Sequence, residues 1–429
     1  MASATMLNIF VLGLDEPNSA RLQELPEAAD YRFHQLLTID ELRHGEQIPI
    51  RELLDKATAQ LEMFDGHIDA VVGYWDFPVT QMVPILCRRF GLRSPTLEAV
   101  LKCEHKYWSR LVQSEVIDEY PRFALVDPAD EDAGLPAGMS YPVWVKPVKS
   151  ASSASAYYVT DDRSMRAALD AEREQVGRMG QPFDYILSLA DLPAKISKVG
   201  GQTCLVEEMA TGDQITVEGY AREGRVVVYG VVDAVTYPDS SSFLRYQYPS
   251  RLPEDVVAWI IDVTERVIGH IGLENSTFNI EYFWDPDRRD LRLLEINPRH
   301  SQSHATLFQL VDGVPNHRAM IDLALGREPV LPRREGPYAV AAKWFPRLFA
   351  DGVVRRCPSR HEIEVIEKEI PGTTIEVIVK SGDRLSELPD QDSYSYGLAN
   401  IHVGAADEAE LIDKYRRCLA ALPFRLTPP

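Results

Sequence analysis

Cysteine is scarce and scattered in this 429-residue chain: five residues, Cys87, Cys103, Cys204, Cys357 and Cys418, odd in number and never close together. That spacing argues against a zinc knuckle or a redox pair and points to buried, reduced thiols. No uninterrupted apolar run approaches the roughly 20 residues needed to cross a bilayer. The opening residues MASATMLNIFVLGL carry no basic n-region, so no secretory leader is expected and the expected location is cytoplasmic. Positive charge is in deficit as well. The 45 Lys and Arg against 65 Asp and Glu give a formal charge of −20, which argues against general affinity for nucleic acid or an anionic membrane. No G-x-G-x-x-G follows the first apolar segment, so a dinucleotide fingerprint is absent. No convincing Ser-His-Asp or Cys-His set stands out, and no internal repeat, coiled coil or low-complexity tract is visible. Glycine is missing altogether between Lys146 and Gly177.

What is present is an ordinary globular composition, 45% apolar and 26% charged, long enough for about three folded units. The first of them alternates. Leu7 to Leu14, Tyr31 to Leu37 and Ile68 to Gly73 read as strands, Ile50 to Phe64 and Pro78 to Phe90 as helices, the latter ended by Gly91. Strand–helix alternation predicts a small parallel-sheet domain, with Gly73-Tyr74-Trp75-Asp76 at a strand's carboxyl end where open sheets place ligands. Further on, a helix is expected around Ser164 to Met179, and a hairpin from Ile215–Ala221 to Val226–Val235 turned by Gly224. Ser240 to Arg251 breaks all periodicity and is read as a loop, in which Arg245 and Arg251 could hold a substrate carboxylate or simply pair with surface acids. A helix is expected from Asp255 to Ile271, strand-rich sequence from Glu335 onward, and a closing helix from Ala406 to Leu422.

Three stretches carry chemistry. Leu293-Leu294-Glu295-Ile296-Asn297-Pro298-Arg299 reads as a buried strand ending in Glu-x-Asn, whose two oxygen-bearing side chains share a face because strand period is two. Phe278 to Phe283 is a second strand-like run with one acid, Glu281. Pairing the two strands brings Glu281, Glu295 and Asn297 to one point, a donor set suited to Mg2+, with Arg299 on the same edge to meet an anion. Ordinary surface charges are the alternative reading of the same residues. Tyr141 to Pro147 puts Lys146 at the end of an apolar strand, followed by small residues from Ser150 to Ala156 whose backbone N–H groups and hydroxyls suit phosphate. Cys204 to Gln214 reads as a strand, a short acidic hinge and a glycine turn, able to offer backbone groups to an adenine edge. After Arg299 comes His300-Ser301-Gln302-Ser303-His304, whose two histidines are read as zinc ligands less readily than the segment is read as polar contacts to a second substrate, through His300 and Ser301, or as helix capping by Ser301 or Ser303.

This ordered set resembles the ATP-grasp superfamily, the fold of biotin carboxylase, D-alanine–D-alanine ligase and the bacterial L-amino acid ligases, through motifs spanning roughly residues 95 to 325. The resemblance implies an α/β (α+β) ATP-grasp fold with a Rossmann-like N-terminal domain over 1–95, an ATP-grasp domain over 96–325 and a C-terminal strand-rich domain over 326–429. A mobile lid over about 123–209 is expected within the second. It implies nucleotide binding by Lys106, Lys146, Glu207, Glu208, the backbone of Ala210, and Gln214 in place of the usual ribose-binding glutamate. Glu281, Glu295 and Asn297 match the metal site for Mg2+, with Mn2+ as a substitute, and Arg299 matches the arginine that holds the reacting phosphate. The implied activity is ADP-forming ligation of a small-molecule carboxylate to an amine, an amino acid for preference, in a protein that could be a homodimer. A carboxylase or thioester-forming reaction, or nucleotide binding without catalysis, are the alternatives. No Met-Lys-Met biotinyl segment occurs in the chain. The missing glycines after Lys146 imply a stiffer phosphate-covering loop than many relatives have.

Overall fold

The computed structural model describes residues 6–45, 47–150, 155–388 and 395–427. Strands Leu7–Leu12 (β1), Tyr31–Leu36 (β2) and Ala70–Val72 (β3) form a parallel sheet in the order β2-β1-β3. Parallel neighbours need crossovers, and helices Glu16–Gln23 (α1), Ile50–Glu62 (α2) and Val79–Phe90 (α3) alternate with the strands. In α2, Ile50, Leu53, Leu54, Ala57 and Leu61 recur at helical spacing and all are buried. Each large member contributes about 1.5–3 kcal/mol through burial. Gly91 ends α3 in the left-handed region, at φ 66°.

Two helices, Leu97–Glu104 (α4) and Lys106–Ser114 (α5), lead into a four-stranded antiparallel sheet. Its strands are Phe123–Val126 (β4), Val143–Pro147 (β5), Tyr157–Val159 (β6) and Cys204–Glu208 (β7), in the order β4-β7-β5-β6. Helices Asp162–Gln175 (α6) and Gly177–Leu187 (α7) sit within this segment. A reciprocal cap between Asp161 and Ser164 starts α6, a device worth about 1 kcal/mol. The single helix expected around Ser164 to Met179 is therefore two, broken at Val176. The break lets Gly180 press against the backbone of Gly201, so close that an added Cβ would lie 2.8 Å from the Gly201 carbonyl carbon.

The largest sheet is antiparallel and has eight strands. Asp213–Arg222 (β8), Arg225–Thr236 (β9), Phe243–Tyr248 (β10), Ser276–Asp285 (β11) and Asp290–Asn297 (β12) supply five. The chain then adds Val340–Trp344 (β13), the short Arg347–Leu348 (β14) and Val353–Arg356 (β15), Thr373–Val377 (β16), Tyr396–Gly397 (β17), Ala399–Ala405 (β18) and Arg425–Thr427 (β19). The order in the large sheet is β12-β11-β8-β9-β10-β13-β18-β16, so the C-terminal segment continues the sheet begun by β8. Helices Glu254–Ile271 (α8), Ala305–Asp312 (α9), His317–Ala324 (α10), Arg360–Glu369 (α11) and Glu408–Ala421 (α12) complete the secondary structure that flanks it. Phe278, Ile280 and Tyr282 of β11 are fully buried in the same core as Ile260, Val263 and Val267 of α8.

One expectation is overturned here. Ser240 to Arg251 is not a loop throughout: Phe243–Tyr248 is a full strand between β9 and β13. Its hydrophobic alternation is hidden because Arg245 and Gln247, both buried, occupy one face. Among the described residues no helix is long and apolar enough to cross a membrane. All five cysteines are free thiols.

Candidate active site

The pairing of β11 with β12 sets Glu281 directly opposite Glu295, and Asn279 directly opposite Asn297. A bulge just past Glu281 bends the pair, and Glu295 and Asn297 remain on one face. Like charges opposed across strands repel. Glu281 shows it: burial first, then the Glu295 charge, push its carboxyl up to about 7. Glu295 moves the other way, because Lys106, Lys146 and Lys149 together outweigh the burial that would raise it. Glu281 accepts a hydrogen bond from Gln214 Nε2 at 2.8 Å, and Glu295 one from Lys106 Nζ at 3.1 Å.

Lys106 is aimed by its neighbour. His105 breaks α4 from α5 and caps the second: its Nδ1 accepts from the Trp108 N–H at 3.2 Å, which leaves Nε2 to donate to the Val199 carbonyl at 3.1 Å. Burial holds this imidazole neutral by lowering its pKa. The Lys106 ammonium then reaches both Glu295 and the Ser150 carbonyl, the latter at 3.2 Å.

Lys146 on β5 and Glu207 on β7 lie diagonally across the four-stranded sheet and meet at 2.5 Å. Glu207 also accepts from Arg110 Nε at 2.5 Å, while the other Arg110 nitrogens hold Gln113 and the Leu293 and Leu294 carbonyls. Burial would raise the Glu207 carboxyl, but Arg110 and then Lys146 hold it down at about 2. Glu208, partly exposed, sits 3.5 Å from Arg122. Ala210 lies in the hinge between β7 and β8, beside exposed Met209.

Arg299 directs Nε and a terminal nitrogen at one oxygen of Asp76, at 2.7 and 2.5 Å. Asp76 belongs to the segment after β3, so the N-terminal sheet reaches the carboxylate pair through this contact. The segment from Pro298 to His304 is organised by Glu218, wholly buried on β8. Glu218 accepts from Asn279 Nδ2 at 3.0 Å, from the Ser301 N–H at 3.1 Å and from the Tyr229 hydroxyl at 3.2 Å, and meets His304 Nδ1 at 2.8 Å.

The structure thus gathers Lys106, Lys146, Glu207, Gln214, Glu281, Glu295, Asn297 and Arg299 around one region. Four other expected residues are placed differently. Arg245 pairs with Glu408 at 2.8 Å and stacks over Trp344, which stacks on Tyr415 of α12. Arg251 pairs with Asp233 at 2.9 Å and Glu408 at 3.3 Å. Both arginines are held by the protein's own acids and do not join the carboxylate pair. His300 is fully buried between Tyr74 and His317, with Nδ1 at 3.4 Å from Thr277, so it packs in an aromatic cluster. Ser301 contributes its backbone, donating to Glu218 and accepting from Asn316. Of the small-residue stretch after Lys146, residues 151–154 lie outside the described residues.

Sequence reasoning missed Arg110, Lys149, Glu104 and Glu218. Arg110 falls four residues after Lys106, one helical turn on, which is the only local signal any of them carries. Lys149 forms a buried ion pair with Glu104 of α4, which also accepts from Thr80 at 2.7 Å. The donor set around Glu281 is hard and oxygen-rich, two carboxylates and an amide, and fits Mg2+. Among the described residues no cluster of three or more His, Cys, Asp or Glu could hold a metal unaided. Mg2+ ordinarily completes its shell with water and phosphate, so two carboxylates suffice.

Residues 139–306 match the sequence model of an ATP-grasp domain. In structure the chain is similar to an L-amino acid ligase from Bacillus licheniformis, at a TM-score of 0.71 and 13% identity, covering 99% of both chains. It is similar as well to the biotin carboxylase domain of a 2-oxoglutarate carboxylase from Hydrogenobacter thermophilus, solved with MgADP, ADP and bicarbonate. There the TM-score is 0.66 at 14% identity, covering 98% of this chain and 91% of that one. A curated relative, the uncharacterized protein y4rH of Sinorhizobium fredii, is 24% identical over 304 residues, 70% of this chain. The chain spans 58% of that relative's length. The protein carries an ATP-grasp domain and has the ATP-grasp fold.

Proposed function

We propose that this ATP-grasp chain is an ADP-forming ligase that activates a carboxylate with ATP and joins it to an amine. The observation that carries the reading is the register of β11 and β12, which opposes two carboxylates within reach of Lys106 and beside Lys146. Such an arrangement of paired acids and lysines is of little use to a scaffold, where it costs stability. It suits a polyphosphate, whose transfer depends on positioning and charge neutralisation far more than on a protein nucleophile.

In this reading Lys106 and Lys146 hold the phosphates. Lys146 can turn from Glu207 toward nucleotide because Arg110 stays on the Glu207 carboxylate and keeps that buried charge compensated. Backbone groups of Glu207, Glu208 and Ala210 form the adenine hinge, and β4 to β7, within residues 123–209, act as the lid. Glu281, Glu295 and Asn297 would hold Mg2+, which supplies charge neutralisation on the transferring phosphate. Gln214 keeps its amide on Glu281, so it orients that carboxylate whether or not it also meets the ribose.

The substrate carboxylate attacks the γ-phosphorus, the bond to ADP breaks, and an acyl-phosphate forms. Arg299, fixed by Asp76, steadies the transferred phosphate. The amine then attacks the acyl carbon, loses a proton and expels phosphate, leaving an amide. Water must be kept out while the acyl-phosphate exists, which is the reason for a lid. The test is phosphate release from ATP and Mg2+ across a panel of carboxylates, each with and without an amino-acid mixture, with mass spectrometry of the products. Release that depends on both substrates, with a new amide mass, is the expected result. Release with bicarbonate alone would favour a carboxylase, and no release with any pair would overturn the proposal.

A further inference from the structure

One lysine outside the machinery just described faces it across the sheet. The cross-strand pairing Gln214, Ala234, Tyr246, Lys343 and His402 is continuous from β8 through β9, β10 and β13 to β18. Residues in one such row project from one face. Lys343 therefore shares the face of Gln214, whose amide touches Glu281, three strand spacings or roughly 14 Å away. Arg245, next to Tyr246 in the strand, points to the other face.

Lys343 is partly buried and has no carboxylate within ion-pair distance among the described residues. Its ammonium donates to the neutral Ser303 Oγ at 2.7 Å and lies 5.1 Å from the Phe345 ring centroid. Glu376, whose charge reaches it, is engaged by Asn400 Nδ2 at 2.9 Å. Directly opposite, buried His402 has an Nδ1 with no hydrogen-bond partner among the described residues. Burial lowers the Lys343 pKa to about 8, the cost of a desolvated cation lacking a counter-ion. Ser303, having accepted from Lys343, still has a hydroxyl proton to give. It sits in the segment that follows Asn297 and Arg299, so this second set of donors is tied to the first by five residues of chain.

We propose that Lys343 and Ser303 form an anion subsite that takes the free carboxylate of the amine-bearing substrate, making an amino acid the acceptor. The assignment rests on the ligase reading, since it names the acceptor for that same site. The spacing is appropriate. A two-residue adduct spans about 7 Å, and the lysine and glutamine side chains bridge the remainder. Tyr246 and Phe345, whose rings stack edge-on at 5.1 Å, wall the row beside the ammonium.

The test compares free L-amino acids with their carboxamides, which keep the amine and side chain but lose the charge. Thermal shift of the whole protein in MgADP should show stabilisation by at least one free amino acid and none by its amide. Lys343→Met should remove that response, weakening apparent affinity at least ten-fold, while the shift caused by MgADP alone persists. Lys343→Gln serves as a second variant should the methionine form fold poorly. Equal stabilisation by acid and amide, a response retained in both variants, or no response to any amino acid would each overturn the subsite. Phosphate release is measured in parallel. If amino-acid binding depends on Lys343 but no carboxylate supports turnover, the ligase reading falls and the anion subsite stands.

Discussion

Arg299 and Asp76, 223 residues apart in the chain, meet through a single carboxylate oxygen. One comes from the end of the strand that carries Glu295, the other from the carboxyl end of β3 in the parallel sheet. Asp76 thereby fixes a guanidinium that the proposed reaction needs in one orientation, and Arg299 is held firmly charged, Asp76 outweighing the effect of burial.

Arg299→Lys keeps the charge and loses the fork. It should leave ATP affinity within a few-fold and lower the rate by roughly two orders of magnitude, the scale seen when one transition-state donor is removed. Nucleotide binding, melting temperature and phosphate release on the one variant decide the matter. A lowered melting temperature with an unchanged rate per folded molecule would make Arg299 a strand-end anchor.

Asp76→Asn should act through Arg299. The expected result is a fall in kcat of roughly ten-fold with little change in KM for ATP, because a misaligned donor weakens transition-state contacts more than ground-state ones. Restoration of rate by Asp76→Glu would mark the carboxylate itself as the requirement.

Glu295→Gln should abolish turnover in a folded protein. The variant loses a carboxylate of the proposed Mg2+ site and the partner of Lys106 at 3.1 Å, while relieving the repulsion with Glu281. Near-normal phosphate release would remove Glu295 from the metal site. Melting temperature checks that the sheet survives.

Arg110→Met should be costly to stability. It strips Glu207 of one cation and leaves the Leu293 and Leu294 carbonyls without their donor, and breaking a buried pair of this kind costs about 3–5 kcal/mol. Urea denaturation of variant and wild type gives the difference directly.

Glu172 gives the fold a pH dependence. It is wholly buried on α6, neither carboxyl oxygen has a hydrogen-bond partner among the described residues, and burial pushes its pKa up to about 8. The folded state therefore holds a proton that the unfolded chain releases near its ordinary 4.5. Between those values the native form binds more protons, so stability falls as pH rises from about 4.5 toward 8. Glu172→Leu should flatten that slope and raise stability at pH 8 by roughly 1–3 kcal/mol. Denaturation midpoints at several pH values test it, and parallel curves for the two proteins would refute it.

The sequence made the geometry of the paired carboxylates legible because period-two spacing and antiparallel pairing are local rules. Glu281, Glu295 and Asn297 needed nothing more. The parallel N-terminal sheet was legible from strand–helix alternation in the same way. Residues that act by long-range contact were not. Glu218 looks like any acid in a strand, and only the fold brings it to Asn279, Ser301 and His304. The strand at Phe243–Tyr248 escaped notice because it buries an arginine and a glutamine where a strand usually shows aliphatic residues. His300 follows Arg299 in sequence, and only the fold shows that its ring packs against His317 and Tyr74.

The eight-stranded sheet joins β10 to β13 by backbone hydrogen bonds, across the place where a third unit was expected to begin. Cutting the chain near residue 330 would therefore break a continuous ladder. It would bare the ladder edge of β10, strip Tyr246 and Tyr248 of their β13 partners Lys343 and Ala341, and present a ready template for another strand. A shortened protein should self-associate through that edge, so its C-terminal strands act as a permanent guard against polymerisation.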